Sequence, residues 1–126
     1  MKSVISAVCI LIFIIILVTV SYVYTERVVA DMTESICKNE KFVAKNEWEK
    51  AENEINRLNE IWKDSRKIFA LMANHSIAEQ IDESLAKINY AVKLRKNEDF
   101  YSEIGPAKLR VHNLLEHQEL SLSNLF

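Results

Sequence analysis

The pattern of apolar and polar residues divides the chain into one long apolar run followed by amphipathic segments. No charged residue lies between Lys2 and Glu26, and the run from Val4 to Tyr24 consists almost entirely of Val, Ile, Leu and Phe. A helix over this run would be roughly 31 Å long, which is about the thickness of the hydrocarbon core of a bilayer. The pattern therefore predicts a membrane-spanning helix within residues 1–25.

The residues beside the run predict its orientation and its fate. Because Lys2 and the amino terminus carry the only positive charges before the run, the positive-inside bias predicts a cytoplasmic N-terminus and an extracytoplasmic C-terminal domain. Tyr22 and Tyr24 suit the outer interface of the membrane. Val28-Val29-Ala30 offers a cleavage motif, but the run exceeds the about 7–15 apolar residues of a cleaved signal peptide. We therefore favour an uncleaved signal anchor in the cell membrane, and we interpret Cys9 as a small apolar residue facing lipid or another helix.

Beyond the span, the pattern predicts a stalk and then a long amphipathic helix. Residues 26–47 are polar and weakly patterned, so we expect an uncovered juxtamembrane stalk. From Ala44 onward, residues of one face recur about every 3.5 residues, as in the seam of a coiled coil. These are Ala44, Trp48, Ala51, Ile55, Leu58, Trp62, Ser65, Phe69 and Met72. The seam assigns Trp48 and Trp62 to the core rather than to an aromatic ligand box.

Two more helices are predicted after Asn74-His75-Ser76, where Ser76 and Glu79 have the spacing of a capping box. The second helix carries Ile77, Ile81, Leu85, Ile88 and Val92 on one face, and the third carries Phe100, Ile104, Ala107, Val111, Leu114 and Leu115. Because the apolar register continues across Gly105-Pro106, we favour one kinked helix over two separate ones. The tail 120–126 is expected to dock on the bundle.

Composition narrows the fold class. One glycine and one proline among 126 residues leave little turn chemistry for a sheet. We therefore predict an all-α protein with one N-terminal transmembrane helix and a long stalk helix leading into a small antiparallel three-helix bundle over residues 48–126.

Charge and residue chemistry exclude several classes of function. All 18 acidic residues follow the span, as do all 16 basic ones except Lys2, so the exported part is mildly acidic and does not suit a nucleic-acid surface. His112 and His117 are five residues apart and point in different directions on a helix, and His75 falls in a predicted turn. We therefore predict no metal, cofactor-binding or catalytic residue, and no enzyme activity.

Cys37 carries a thiol that could form a disulfide bond. Counting back by seven from Ala44 places Cys37 on the continued seam, at a level that the later helices are too short to cover. An unpaired cysteine outside the cytoplasm is either an exposed free thiol or part of an intermolecular bridge. A homodimer through a Cys37–Cys37 bridge between two parallel stalks therefore stays open beside the free thiol.

The distal motifs resemble those of a small bacterial family in the series of domains of unknown function, in which it has the number four-three-six-three. The motifs are Trp62, the turn residue His75 before Ile77-x-x-x-Ile81-Asp82-x-x-Leu85, and the ending Glu116-x-x-Glu119-Leu120-Ser121-Leu122-x-Asn124. Members are short, helical and anchored by one N-terminal membrane helix, and the resemblance implies a small multi-spanning membrane protein as a candidate partner. It implies no activity.

Two classes of function follow from these observations. The first is a non-enzymatic helical interaction module for another membrane or envelope protein. The second is an extracytoplasmic ligand-sensing bundle, which would need a partner to relay its signal because the predicted topology leaves only Met1 to Ser3 inside. We favour the first.

Overall fold

Four α-helices account for almost all of the computed structural model. The structure describes residues 1–72 and 75–125, and the side chains of Met72 and of residues 119–125 fall outside that description. The helices are α1 (Lys2–Ala44), α2 (Trp48–Met72), α3 (His75–Lys93) and α4 (Asn97–Leu125). The predicted class, an all-helical chain whose long apolar N-terminal helix leads into a helical bundle, is confirmed.

Helix α1 is uninterrupted, but its two halves have different surroundings. The first half is apolar and exposed, and the helix is long and apolar enough to cross a membrane by length and composition. In the second half one face is buried, with the three- and four-residue spacing of a packed helix. The residues of this face are Thr25, Val28, Val29, Met32, Ser35, Ile36, Asn39 and Val43.

The prediction of an uncovered stalk over residues 26–47 is therefore wrong. This part of α1 is the first helix of the bundle, and α1 packs against both α2 and α4. Helices α2 and α3 pack together, as do α3 and α4, which closes a four-helix ring. The bundle thus has one helix more than predicted, and it begins near Thr25 instead of Trp48. The sequence concealed this because Thr25, Ser35 and Asn39 occupy core positions with polar side chains.

Two turns of the same kind connect α1 to α2 and α3 to α4. After α1, Asn46 has a φ of 58°, its N–H donates to the carbonyl of Val43, and the Glu47 N–H donates to the carbonyl of Phe42. After α3, Arg95 has a φ of 56°, and the same two bonds run from Arg95 and Lys96 back into the helix. Both are Schellman endings, which satisfy the last carbonyls of a helix and normally place glycine at the left-handed position.

Arg95 is therefore a strained position, and we predict that Arg95→Gly stabilises the bundle. Left-handed backbone costs a non-glycine residue about 1 kcal/mol, and glycine removes most of that cost. Thermal melting in detergent should show a rise in Tm for Arg95→Gly and none for Arg95→Ala, which keeps the side-chain carbon that causes the strain. A lower Tm for the glycine variant would contradict the prediction.

The remaining helices follow the predicted registers closely. Of the seam residues with described side chains, Ala51 to Phe69 are buried, Trp48 is half-buried and Ala44 is exposed, because α1 ends there. Helix α3 begins at His75, one residue before the predicted cap at Ser76, while Asn74 lies outside the described residues. Helix α4 passes through Pro106 as one helix, as predicted, and its backbone stays helical to Leu125. The predicted docking of the tail rests on side chains outside the description.

Candidate functional site

Aromatic rings fill the end of the bundle from which the apolar half of α1 projects. The rings of Trp62 and Phe69 stack with centroids 6.0 Å apart, and Phe69 also lies 5.9 Å from Tyr24. Trp62 is only 4 % exposed and belongs to the core, which confirms the core assignment over a ligand box. The stack fixes α1 against α2 at the level of Tyr24.

The Trp62 indole also takes part in a polar cluster at the surface. Its Nε1–H donates to Asp82 Oδ1 over 2.6 Å, and Arg66 Nε donates to Asp82 Oδ2 over 2.8 Å. Arg66 Nε also lies 3.0 Å from Oδ1, and Arg66 Nη2 lies 2.7 Å from Oδ2, so two guanidinium nitrogens meet both carboxylate oxygens. Asp82 thereby joins α3 to two residues of α2. Because these partners are far apart in the sequence, no local motif could have indicated the cluster.

The charge of Asp82 is stabilised in the folded state. Partial burial by itself would raise the pKa of Asp82, but the hydrogen bonds from Arg66 and Trp62 and the charge of Arg66 outweigh it and lower the pKa below its ordinary value. A lowered pKa in the fold means that this stabilisation is complete above the ordinary Asp pKa and is lost as the pH falls through the lowered one.

We predict that Asp82→Asn lowers the stability of the bundle by about 1 kcal/mol at neutral pH, discounted for partial exposure. The variant should also lose less stability than the parent as the pH falls below about 4, near the ordinary Asp pKa. Thermal melts across this range check both effects. Asp64→Asn, at an exposed position on α2, is the control. Equal acid sensitivity in parent and Asp82→Asn would contradict the assignment.

A second polar cluster joins α3 to α4. Ser84 is buried and donates to Glu103 Oε1 over 3.2 Å, and Arg110 Nη1 donates to the Ser84 hydroxyl and to the carbonyl of Gln80. Arg110 also lies 3.4 Å from Glu103. The charges of Arg110 and Glu103 oppose each other, and through Ser84 and the carbonyl of Gln80 the cluster links α4 to α3.

The face of α1 that packs in the bundle carries buried polar groups of its own. Ser35 donates to the carbonyl of Glu54 on α2 over 3.3 Å, and Asn39 Nδ2 donates to the carbonyl of Ser35. Asn39 is fully buried, and its Oδ1 has no hydrogen-bond partner among the described residues. At the same level, Lys108 of α4 forms an ion pair with Glu40 of α1.

An open groove runs between α3 and α4 near the end of the bundle that carries the two Schellman turns. It is lined by Ala86, Lys87, Tyr90, Asp99, Ser102 and Glu103. Tyr90 is largely exposed, and Lys96 lies 5.9 Å from the centre of its ring. Exposed tyrosine is enriched at protein–protein interfaces because a rigid ring supplies contact area and the hydroxyl supplies a hydrogen bond. The groove is therefore the candidate functional surface.

The structure keeps the histidines apart in the described part of the chain. His75 begins α3, whereas His112 lies 3.7 Å from Glu116 on the surface of α4, and His117 is half-buried one turn further along. No group of three metal-ligating side chains occurs among the described residues.

Cys9 and Cys37 are both exposed free thiols in the structure. We had expected Cys37 to continue the seam, and this prediction is wrong. The buried position is the adjacent Ile36, and Cys37 faces outward from α1.

The Cys37–Cys37 bridge between two chains stays a prediction. Non-reducing gels of membranes trapped with an alkylating agent check it. A dimer band that disappears in Cys37→Ser would show the bridge, whereas no dimer band, or one that survives in the variant, would eliminate it.

A match to a known protein family covers most of the chain. A family model described as Domain of unknown function (DUF4363) matches residues 19–125. The chain belongs to this family. Searches of curated proteins and of solved structures each returned no match.

The DUF4363 match agrees with the architecture described above. It begins at residue 19, next to Val18, the first half-buried residue of α1. It also includes residues 26–47, the segment for which we had expected an uncovered stalk. The DUF4363 unit is therefore the whole four-helix bundle with the end of the apolar segment, and not α2 to α4 alone.

Proposed function

We propose that this chain is a single-pass membrane protein that holds a non-enzymatic interaction module on the extracytoplasmic face of the cell membrane. The observation that carries the proposal is the continuity of α1, whose exposed apolar half passes without a break into the first helix of the bundle. A helix continuous across both parts orients the bundle relative to the membrane, which a flexible linker would not do.

The groove between α3 and α4 supports an interaction role. It lies beside Tyr90 at the end of the bundle remote from the apolar half of α1, where another protein of the same membrane can reach it with its extracytoplasmic part. Lys87, Asp99 and Glu103 give the groove both signs of charge, which suits a protein surface better than a strongly charged ligand.

The anchor is tested by the intact mass of the chain recovered from the membrane fraction. The proposal expects the full-length chain. A mature species that begins near Asp31 and appears in the medium would contradict it, because cleavage after Ala30 would release the bundle.

The interaction is tested with a photo-crosslinking residue in place of Lys87, in the groove, in the full chain in its native membrane. We expect a discrete adduct with another integral membrane protein, and we expect Tyr90→Ala to weaken it. The matched control carries the crosslinker at the exposed Lys38 on α1. The same adduct from both positions, or no adduct from Lys87, would contradict the groove as the interaction surface.

A further inference from the structure

The bundle extends alongside the apolar segment instead of standing clear of it. On the face of α1 that meets the bundle, partial burial begins at Val18 and continues through Ser21 and Tyr22 to the buried Thr25. The fully uncovered part of the run is therefore Val4 to Leu17, which measures roughly 21 Å as a helix. That is well short of the roughly 30 Å hydrocarbon core of a bilayer.

This mismatch constrains how the chain sits in the membrane. A short span is accommodated by local thinning of the bilayer or by drawing the flanking structure into it. The helices of the bundle satisfy their own backbone hydrogen bonds, so the bundle end can enter the interface if its exposed side chains there are apolar.

Two exposed side chains at the end of α2 are apolar, as contact with the interface requires. Helix α2 runs antiparallel to α1, and Phe69 contacts Tyr24, so Leu71 lies about 3 Å beyond Phe69 in the direction of the uncovered span. Leu71 is 88 % exposed, and its neighbour Ile68, one turn earlier, is 40 % exposed. An isolated exposed leucine needs no explanation, but here its position coincides with the level of the outer membrane interface.

Charge along the same stripe of α2 supports lipid as the occupant. Lys63 and Lys67 are exposed and precede Leu71 at four-residue intervals, so the stripe changes from basic to apolar toward the span. Lysine ammonium groups at this distance can reach lipid phosphates while their stems cover apolar surface. Glu79 of α3 and Glu26 of α1 are exposed near the same end, so the attraction is local and does not make the end strongly basic.

We propose that the α2 end of the bundle is seated in the outer headgroup region, with Leu71 and Ile68 in contact with lipid. This inference rests on the proposed membrane anchor and adds to it a second, peripheral contact with the same bilayer. The bundle is then held at its α2 end as well as by α1, which restricts its tilt about the point where α1 leaves the membrane.

The test uses the full chain in vesicles of phosphatidylcholine and phosphatidylglycerol. In a Cys9→Ser, Cys37→Ser background, single cysteines replace Leu71, Leu94 or Phe13 and carry a polarity-sensitive fluorophore. Leu94 is an exposed leucine at the opposite end of the bundle, and Phe13 lies in the middle of the uncovered span. Nitroxide lipids report contact with the bilayer, and aqueous iodide reports contact with water.

We expect nitroxide lipids to quench the labels at Leu71 and Phe13, and iodide to quench only the label at Leu94. Equal iodide quenching at Leu71 and Leu94, with Phe13 still quenched by lipid, would overturn the seated end while leaving the anchor intact. A label at Phe13 that lipid does not quench would overturn the anchor and the inference together. Because these vesicles contain no other protein, a protein partner cannot produce the expected result.

Discussion

Replacing Trp62 with alanine is expected to lower the free energy of unfolding by about 3–5 kcal/mol, through lost apolar burial and the cavity left behind. The substitution also removes the stacking with Phe69 and leaves Asp82 without its indole donor. Because a small domain has about 5–15 kcal/mol of stability in total, the variant should lose a large fraction of it, and its Tm should fall well below that of the parent. Thermal melting of the full chain in detergent, followed by circular dichroism, measures the loss.

Two matched variants separate the contributions to this effect. Trp62→Phe keeps most of the ring but loses the bond to Asp82, so it should cost much less than alanine. Trp48→Ala removes the same side chain from a half-buried position at the start of α2 and should also cost less. If Trp62→Ala moved the Tm by only a degree or two, the packing of α2 against α1 and α3 would be contradicted.

The second large effect is expected at Ile36. This residue is fully buried within the segment that its sequence suggested was a stalk, so Ile36→Ala should cost about 2–5 kcal/mol. The adjacent Cys37 faces outward, and Cys37→Ala should change stability by no more than about 0.5 kcal/mol. Urea unfolding of the full chain in detergent, followed by tryptophan fluorescence, compares them. Equally small effects of both substitutions would indicate an uncovered stalk over residues 26–44 and would contradict the burial of Ile36 in the bundle.

The fold was predictable wherever the buried face is apolar. In α2, the regular spacing of Ile55, Leu58 and Trp62 identifies both the helix and its buried side. In α4, the register of Ile104 and Ala107 continues across Pro106, and the structure has one helix there. Apolar periodicity reports burial directly, because each such residue gains free energy only when its face is covered.

The second half of α1 was not predictable in the same way. Its core includes Thr25 and Asn39. The Thr25 hydroxyl donates to the backbone carbonyl of Ser21, and Asn39 Nδ2 donates to that of Ser35, both within α1. Such local bonds let polar residues occupy core positions, so the buried face reads as a polar segment. Its apolar members are Val28, Val29, Met32, Ile36 and Val43, and the polar residues among them hid the helical periodicity.

The turn after Ala44 was hidden for a different reason. Neither glycine nor proline marks it, and the spacing from Ala44 to Trp48 continues the seam as if one helix ran through. The available signal was Asn46 within a short polar stretch, because asparagine tolerates left-handed backbone better than most residues. Missing this turn made α2 a continuation of α1, whereas in the structure α2 turns back and brings Phe69 against Tyr24.

The polar clusters of the candidate site lay beyond sequence reasoning altogether. Asp82 appears in the sequence as one acidic residue on an amphipathic helix, and its two donors lie on another helix. The groove beside Tyr90 likewise depends on the packing of α3 against α4, which periodicity does not specify in detail.

The measurement that tests the central claim most directly uses Cys37 as a natural reporter. Cys37 is exposed on the bundle, so in a Cys9→Ser background it is the only thiol available for labelling. We expect a membrane-impermeant maleimide to label the chain in intact bacterial cells, and the labelled chain to stay with the membrane pellet at alkaline pH. Cys37→Ser in the same background should remain unlabelled. Labelling only after the cells are permeabilised, or release of the labelled chain from the pellet, would contradict a bundle anchored by α1 outside the membrane.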